Sequence, residues 1–320
     1  MSVLYHLTSP PPVLPGTDAV VQEAQALQAR FGGEMVFLLP SSRSPTSFPR
    51  PFYGLHRLRT IKRLERGVAL HHLYNSELYL FPVLRLFRKA VVYTVVSGFD
   101  ATPLPPVGRL ERLHKIVVQS ERDLATLEER GLRNACVIRP GIDVSRFRHT
   151  PLSGGGDFTV LAGSAPWTRE QFRSKGVDAL LQVAKQVPSL RLIFLWRGLL
   201  LHELEERVEA LGLTERVEIL NERVEVSSVL ARAHAAIVLA DWSRLVKAYP
   251  HSLIEALAAG RPVVVSKLIP MAEYVSQSRC GEVVDRLAEP QLRRAIERLR
   301  EDYDVLATNA LRVGQTIVVP

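Results

Sequence analysis

The fold is inferred first from the segment PHSLIEALAAGRPVVVS, residues Pro250–Ser266. It predicts a helix that opens at Ser252, ends at Gly260 and is followed, after Pro262, by a strand. The strand Val263–Val265 has no polar alternation, which is typical of a parallel strand covered on both faces. We therefore predict a helix that leads into a buried parallel strand, the repeating unit of an α/β domain.

The charged residue of this helix, Glu255, allows two interpretations. Ser252 and Glu255 have the Ser-x-x-Glu spacing of a capping box, in which each side chain accepts a hydrogen bond from an unpaired amide of the helix start. A first-turn carboxylate could instead hold the ribose hydroxyls of a nucleotide whose phosphates bind at the helix N-terminus. The two roles are compatible, and the segment alone leaves both open.

A longer pattern surrounds the helix. It is Pro-x-Ser-Leu-x-Glu-Ala-x-Ala-x-Gly-x-Pro-Val-Val, followed by Glu273 and a Gly-Glu-Val-Val turn at Gly281–Val284. This pattern resembles the donor-binding half of the retaining group 1 glycosyltransferases, which have the GT-B fold. The resemblance implies an α/β protein with two Rossmann-like, doubly wound parallel-sheet domains facing a cleft. It also implies that Glu255 binds the nucleotide ribose.

Length and composition agree with two domains. The chain has 320 residues, of which 47% are hydrophobic, and this is enough for two cores of about 150 residues each. A flexible Gly/Ser run, Ser153–Gly156, lies at mid-chain and predicts the boundary. We expect an acceptor-binding domain over residues 1–152 and a nucleotide-sugar-binding domain over residues 153–320. The sequence RPGIDVSRF, Arg139–Phe147, resembles the short hinge signature of the family.

The first domain is predicted to alternate strands and helices. Strands are expected at Ser2–Thr8, Val68–Leu73 and Ala90–Val96, and a helix over Ser76–Phe87. His71 and His72 end the second of these strands. They are either core or surface histidines, or they face a ligand at the carboxyl edge of the sheet. They have no partners at metal-ligand spacing, and we expect no metal site.

The net charge of +8 is confined to the first half of the chain. Residues 1–150 contain 20 Lys+Arg and 12 Asp+Glu, whereas the remainder contains 21 of each. The most basic segment, Leu55–Arg66, has one apolar stripe and arginine or lysine on its other faces. It is either a helix that settles on anionic lipid or an ordinary amphipathic helix with a solvated basic face. An anionic membrane surface is therefore a candidate partner, and nucleic acid is not expected.

The cellular compartment is inferred from cysteines and hydropathy. Cys136 and Cys280 lie far apart among apolar neighbours, which indicates packing in a reducing compartment. The N-terminus has no basic region before its apolar residues, and no uncharged apolar run reaches the length of a membrane-spanning helix. We expect a cytoplasmic protein without an integral anchor, peripheral on the inner face of the membrane if it binds lipid.

Candidate phosphate ligands lie in the first loop of the second domain, GSAPWTREQFRSKG, residues 163–176. Arg169, Arg173 and Lys175 stand just before a helix, where cations and amides can hold a diphosphate together. Without the resemblance, three such cations would usually be solvated surface residues. The resemblance implies that Lys175 and an arginine, Arg169 or its rival Arg173, bind the donor diphosphate.

Other positions depart from the family pattern. The first of the two glutamates of the family, which contacts the donor sugar, is replaced by Lys247, and the glycine between them by Pro250. Lys247 cannot accept hydrogen bonds from sugar hydroxyls, although it could reach a phosphate or an acidic sugar. Ser97 occupies the place of a histidine that touches the donor, and only Gly16 remains of a glycine pair in the first loop.

Together these positions give the expected site. The catalytic candidates are Arg169, Lys175 and Lys247. The candidate substrate-binding residues are Gly16, Arg173, His251, Ser252, Leu253 and Glu255.

The expected activity is transfer of a sugar from a nucleoside-diphosphate sugar to an acceptor hydroxyl, with retention and without a metal or other cofactor. The acceptor is expected to be a saccharide or a lipid-linked molecule. The alternative is a non-catalytic or partner-dependent relative that binds nucleotide or docks to a membrane or another subunit, which Lys247, Pro250 and Ser97 favour.

Overall fold

The computed structural model describes residues 2–9, 11, 18–39, 48–99, 104–152, 156–196 and 199–316. The chain divides into two units, Met1–Arg139 and Pro140–Pro320. In the described residues each unit has one sheet of six strands, and every strand pairing is parallel. The fold class expected from the sequence, α/β with two Rossmann-like parallel-sheet domains, is confirmed.

The sheet of unit 1 has the strand order β2-β1-β3-β4-β5-β6. The elements are β1 (Val3–Leu7), α1 (Ala19–Phe31), β2 (Gly33–Phe37), α2 (Leu58–Glu65), β3 (Leu70–Asn75), β4 (Ala90–Val95), α3 (Val107–Leu110), β5 (Lys115–Val118), α4 (Glu121–Glu129) and β6 (Ala135–Val137), with 3₁₀ turns at Arg50–Phe52, Leu55–Arg57 and Pro82–Leu86.

The sheet of unit 2 has the order β12-β11-β10-β7-β8-β9. The elements are β7 (Phe158–Ala162), α5 (Gln171–Ser174), α6 (Val177–Gln186), β8 (Leu190–Leu195), α7 (Leu201–Ala210), β9 (Val217–Leu220), α8 (Val226–Leu230), β10 (Ala235–Val238), α9 (His251–Ala258), β11 (Val263–Ser266), α10 (Met271–Ser278), β12 (Gly281–Val284), α11 (Glu289–Glu301) and α12 (Tyr303–Gly314), with 3₁₀ turns at Val144–Arg146 and Ser243–Leu245. Strand β11 is buried throughout, as its continuous apolar sequence predicts.

The hinge-like segment belongs to unit 2. Ile142 and Phe147 are both 8% exposed and pack in the hydrophobic core that includes α9 and β11. Burial of these two side chains explains why the division between the units falls at Arg139. The Gly/Ser run at Ser153–Gly156 comes later in the chain, and its residues 153–155 lie outside the described part.

The helix expected over Ser76–Phe87 is wrong. Only a 3₁₀ turn forms, at Pro82–Leu86, and the residue before it, Phe81, is extended (φ −57°, ψ 134°). A residue before proline is disfavoured in helical conformation. The preceding chain is also held by the Tyr93 hydroxyl, which lies 2.9 Å from the carbonyl oxygens of both Glu77 and Tyr79.

The basic segment of unit 1 forms a 3₁₀ turn followed by α2. Its apolar side packs in the core of unit 1, where Ile61 is fully buried and Leu58 and Leu64 pack beside it. Arg59 and Arg63 are exposed. The apolar stripe is therefore packed within the protein itself, whereas Arg59 and Arg63 face solvent.

His71 lies near the start of β3, not at its end, and belongs to a buried polar chain. Its Nδ1 is 2.9 Å from His6 Nε2, and its Nε2 is 2.9 Å from Glu65 Oε1. The same Glu65 oxygen accepts from the Arg88 amide at 2.6 Å. Burial acts to raise the pKa of Glu65, but hydrogen bonds from Lys62, the Arg88 amide and His71 outweigh it and lower the pKa to about 2.

Within the described residues, none of the helices has both the length and the apolar character that crossing a membrane requires.

Candidate functional site

The centre of the unit 2 sheet is a topological switch point. Strands β7 and β10 are neighbours, but the chain continues from β7 to β8 on one side and from β10 to β11 on the other. The two connections therefore diverge at the carboxyl ends of these strands. Open parallel sheets bind ligands in the crevice that forms there.

The loop after β7 comes close to the start of α9 at this point. A Cβ atom built on Gly163 would lie 2.9 Å from Ser252 Cβ and 3.1 Å from Ser252 Oγ. Real Cβ atoms are essentially never found so close to another carbon, so glycine is needed for this approach. The loop carrying the predicted cations and the predicted phosphate-binding helix thus meet at Gly163 and Ser252.

Lys175 is the buried cation of this loop. The residue is 8% exposed, and its Nζ donates to Ser164 Oγ at 3.2 Å and to the Ala165 carbonyl at 2.9 Å. Both partners are neutral, and no carboxylate pairs with Lys175 in the described residues. Burial lowers the pKa of Lys175 to about 8, because desolvation disfavours the ammonium form. The site therefore contains a buried positive charge that has no counter-ion among the described residues.

A left-handed turn fixes Lys175 against β10. The next residue, Gly176, has φ +67°, and a Cβ there would lie 2.6 Å from Leu239 Cδ1. The Ser174 carbonyl accepts a hydrogen bond from the Asp241 amide at 2.9 Å. The loops that follow the two central strands are therefore tied together beside Lys175.

The start of α9 differs from the expected capping box. The helix begins at His251, and its N-cap is Pro250, without a side-chain hydrogen bond at the cap. Proline fits because its fixed φ (here −63°) is allowed at this position and because an N-cap residue needs no N–H of its own. The Pro250 carbonyl accepts from the amides of Leu253 and Ile254. Ser252 is thus the second residue of the helix, and its side chain is not the cap.

Ser252 lies where an anion can use the helix start. The first amides of any helix have no acceptor within the helix, and the helix dipole gives them a partial positive charge. Here no side chain caps them, and the Ser252 side chain packs against the Gly163 backbone. The uncapped start of α9 therefore lies beside the loop that carries Lys175.

The two arginines proposed from the sequence are exposed. Arg169 is paired with Glu203 at the start of α7, through its Nε at 3.3 Å and its Nη2 at 3.2 Å. Arg173 lies on the short helix α5. Among the three cations of the loop, Lys175 is therefore the one that the structure buries.

The remaining predicted residues lie around α9. His251 and Glu255 on the helix and Lys247 in the preceding loop are half-buried, and each has a polar or ring contact. Leu253 is fully buried in the core of unit 2, so its side chain packs inward. Gly16, predicted in the first loop of unit 1, lies outside the described residues.

Sequence reasoning missed Ser164 and Ala165. Both lie in the loop of residues 163–176, but their importance depends on the fold, which brings their oxygen atoms to the ammonium group of Lys175. A Ser-Ala pair after a strand has no distinctive spacing that could have singled it out. In the part of the chain that the structure describes, no group of three or more His, Cys, Asp or Glu residues is arranged to hold a metal ion.

Comparison with known proteins agrees with this geometry. Residues 169–312 match the family model of the glycosyl transferases group 1. The match covers most of unit 2, including Lys175 and all of α9. Over these residues, unit 2 is similar to the glycosyl transferases group 1. No curated protein matches the chain in sequence.

Solved glycosyl transferases share the fold of the whole chain. Sucrose-phosphate synthase from Thermosynechococcus elongatus superposes with a TM-score of 0.75 at 16% identity, covering 99% of this chain and 95% of that chain. HepE from Anabaena in complex with UDP gives a TM-score of 0.71 at 16% identity, and WaaG, a glycosyltransferase involved in lipopolysaccharide biosynthesis, gives 0.69 at 17%, both with the same coverage. These similarities establish that the chain has the GT-B fold.

Proposed function

We propose that this protein transfers a sugar from a nucleoside-diphosphate sugar to an acceptor hydroxyl, with retention of configuration and without a metal ion. The observation that carries the proposal is the arrangement of the buried Lys175 ammonium group and the uncapped start of α9 on either side of Gly163. The family match and the UDP-bound fold neighbour support the same donor class.

In this proposal the donor diphosphate binds between Lys175 and the first amides of α9. Two of the three N–H bonds of an ammonium group are used by Ser164 and Ala165, and the third is available to a phosphate oxygen. Gly163 lets the loop after β7 lie next to the start of α9, because a side chain there would collide with Ser252, and the diphosphate would bind where the two meet. The exposed Arg169 and Arg173 would add a longer-range positive field.

Glu255 and Lys247 would contact the other parts of the donor. Glu255 lies one turn into α9, where its carboxylate would accept hydrogen bonds from the ribose hydroxyls. Lys247 would contact the transferred sugar or its phosphate as a donor of hydrogen bonds. The His251 side chain and the backbone of Leu253 complete the proposed wall of the donor site.

The proposed chemistry is a displacement at the anomeric carbon. The bond between this carbon and the diphosphate oxygen breaks, and the acceptor oxygen bonds to the same face. The acceptor proton passes to an oxygen of the departing diphosphate. Lys175 and the α9 amides stabilise the negative charge that develops on the leaving group, and such preorganised donors are usually a large part of catalysis.

Unit 1 would bind the acceptor, which we propose to be a saccharide or a lipid-linked molecule. The exposed arginines of α2 could hold the protein on an anionic membrane surface by electrostatic contact alone, since the apolar stripe of this helix is packed in the core. Binding to vesicles should then require anionic lipid and weaken with added salt. Vesicle binding that neither requires anionic lipid nor weakens with salt would contradict the proposed membrane contact.

A second candidate is a relative that binds nucleotide without transferring sugar. Lys247 favours it, because a cation at this position cannot accept hydrogen bonds from sugar hydroxyls. One experiment distinguishes sugar transfer from nucleotide binding without transfer. A panel of nucleotide sugars is incubated with mixed saccharide and lipid-linked acceptors, with and without a chelator, and release of nucleoside diphosphate and the anomeric configuration of the product are measured.

Transfer with retention, undiminished by the chelator, is the expected result. Nucleotide binding without turnover across the panel would favour the second candidate. If no nucleoside diphosphate stabilises the protein at millimolar concentration, both are wrong.

A further inference from the structure

Unit 1 contains a cavity at the amino edge of its sheet. It is lined by the start of β4 at Ala90, by His114 just before β5 and by Asn134 just before β6, and its volume is about 930 Å³. This volume is within the range of small-molecule sites. Open parallel sheets bind their substrates at the carboxyl edge, so this cavity is separate from any site of that kind.

The lining of the cavity is strongly basic. Arg85, Lys89, Arg109 and Arg112 all line it and are exposed, and the acidic residue in the lining is Glu111. None of the four cations makes an ion pair or side-chain hydrogen bond with any described residue. Four unpaired cations against one carboxylate make the cavity complementary to an anion with more than one charge.

The rest of the lining is apolar. Phe81, Val91 and Leu113 are buried, and Leu84 and Phe87 are half-buried against the same cavity. The Phe87 side chain of this wall is held in place, because its ring stacks on His71 with the ring centroids 4.1 Å apart. A ligand that fills the cavity must therefore cover apolar surface as well as neutralise charge.

We propose that this cavity binds a phosphate ester with an apolar stem. The phosphate oxygens would accept hydrogen bonds from Arg109 and Arg112, whose planar guanidinium groups suit two-point contact with phosphate. The stem would lie against Phe87 and Leu84, where removing apolar surface from water favours binding. A requirement for the stem distinguishes such an ester from free inorganic phosphate.

Calorimetric titration of the full chain tests this site. The probes are octyl phosphate below its micellar concentration, inorganic phosphate, which lacks the stem, and octyl glucoside, which lacks the charge. Octyl phosphate is expected to bind at least about tenfold more tightly than inorganic phosphate, because burial of two methylene groups already gives this factor. Octyl glucoside is expected to bind weakly or not at all.

Charge-reversal variants test whether octyl phosphate binds in this cavity. R109E/R112E should weaken octyl phosphate by about a hundredfold or more, since each arginine contributes a charge-assisted hydrogen bond. Arg85→Glu is a second, independent variant. The control R130E/R294E makes the same charge change at two exposed arginines outside the cavity and should leave the affinity within about twofold. The loss of octyl phosphate affinity between wild type and R109E/R112E reports binding in the cavity, because binding elsewhere on the chain is common to both proteins.

Three results would overturn the proposal. Equal affinity for octyl phosphate and inorganic phosphate would show a free-phosphate site without a role for the apolar wall. Equal affinity for octyl phosphate and octyl glucoside would show that the cations do not contribute. Unchanged octyl phosphate binding in R109E/R112E and in Arg85→Glu, with both proteins folded by circular dichroism, would place the ligand elsewhere.

Discussion

Gly163 and Ser252 are in contact: a Cβ on Gly163 would lie 2.9 Å from the Ser252 Cβ, although the two residues are 89 positions apart in sequence (252 − 163). The contact joins the loop after β7 to the first turn of α9. Whatever binds to the buried Lys175 ammonium group is thereby brought next to the helix start.

Gly163→Ala should weaken nucleoside-diphosphate binding. The added methyl group must push Ser252 and the start of α9 away from the loop, and we expect a loss of about tenfold in affinity for UDP, with a destabilisation of about 1–3 kcal/mol. Both are measured by thermal unfolding with and without nucleotide. The control is Gly108→Ala, where the nearest atom to the new Cβ is 4.0 Å away. Equal UDP affinity in Gly163→Ala and wild type would contradict the placement of the diphosphate.

Nucleotide affinity should fall as the pH rises through about 8. The pKa of Lys175 is lowered to about 8 by burial, so the free protein loses the ammonium charge above this pH, whereas a terminal phosphate is fully ionised above about pH 7. The bound anion raises the pKa of Lys175, so affinity falls by up to about tenfold per pH unit between the free and bound pKa values. Titrations from pH 7 to 10 measure this fall.

Lys175→Met is the control for the pH effect. Its affinity should be lower at pH 7 and nearly independent of pH above that point, because the titrating group is missing. A wild-type profile that stays flat from pH 7 to 10 would mean that Lys175 does not contact the diphosphate.

Glu255→Gln should remove discrimination between ribonucleotides and deoxyribonucleotides. The wild type is expected to bind UDP about tenfold or more tightly than dUDP, because a hydrogen bond to a charged carboxylate contributes about 1.5–3 kcal/mol. In the variant the two affinities should approach each other, mainly by loss of UDP binding. If wild type binds UDP and dUDP equally well, Glu255 has no ribose role.

Arg261 should be a major contributor to the stability of unit 2. The residue is fully buried, and its guanidinium group donates to the Leu230, Ala231 and Thr150 carbonyl oxygens and to the Tyr303 hydroxyl. Arg261→Met leaves these buried acceptors unpaired, and we expect a loss of about 3–5 kcal/mol in the free energy of unfolding.

Tyr303→Phe, the milder change, removes one of these acceptors and should cost about 1 kcal/mol. Urea unfolding measures both variants. A loss in Arg261→Met no larger than that in Tyr303→Phe would contradict a major contribution of Arg261 to the stability of unit 2.

The sequence predicted the alternation of strands and helices better than it predicted where individual helices begin and how they are capped. Helix α9 follows from periodic apolar residues and strand β11 from a continuous apolar run. Ser120 and Asp123 at α4 have the same Ser-x-x-acid spacing as Ser252 and Glu255, and Ser120 does cap its helix by accepting a hydrogen bond from the Asp123 amide. The same spacing failed at Ser252, because the N-cap of α9 is Pro250, two residues before the serine. Both segments contain Ser-x-x-(Asp/Glu), but the second has a proline two residues before its serine.

Interactions between distant residues were beyond prediction from local pattern. The pairing of Glu65 with His71 requires α2 to lie over β3, and the neutral partners of Lys175 require the turn at Gly176. Periodicity identifies which elements exist, but not which polar atoms they bring together. For the same reason, sequence reasoning ranked Arg169 with Lys175, although Arg169 is exposed and paired with Glu203.

The most direct test of the proposed donor site is a crystal structure of the protein with a bound nucleoside diphosphate. We expect phosphate oxygens within hydrogen-bond distance of both Lys175 Nζ and the Ser252 amide, with the ribose next to Glu255. Phosphates bound away from Lys175 and α9 would contradict the account.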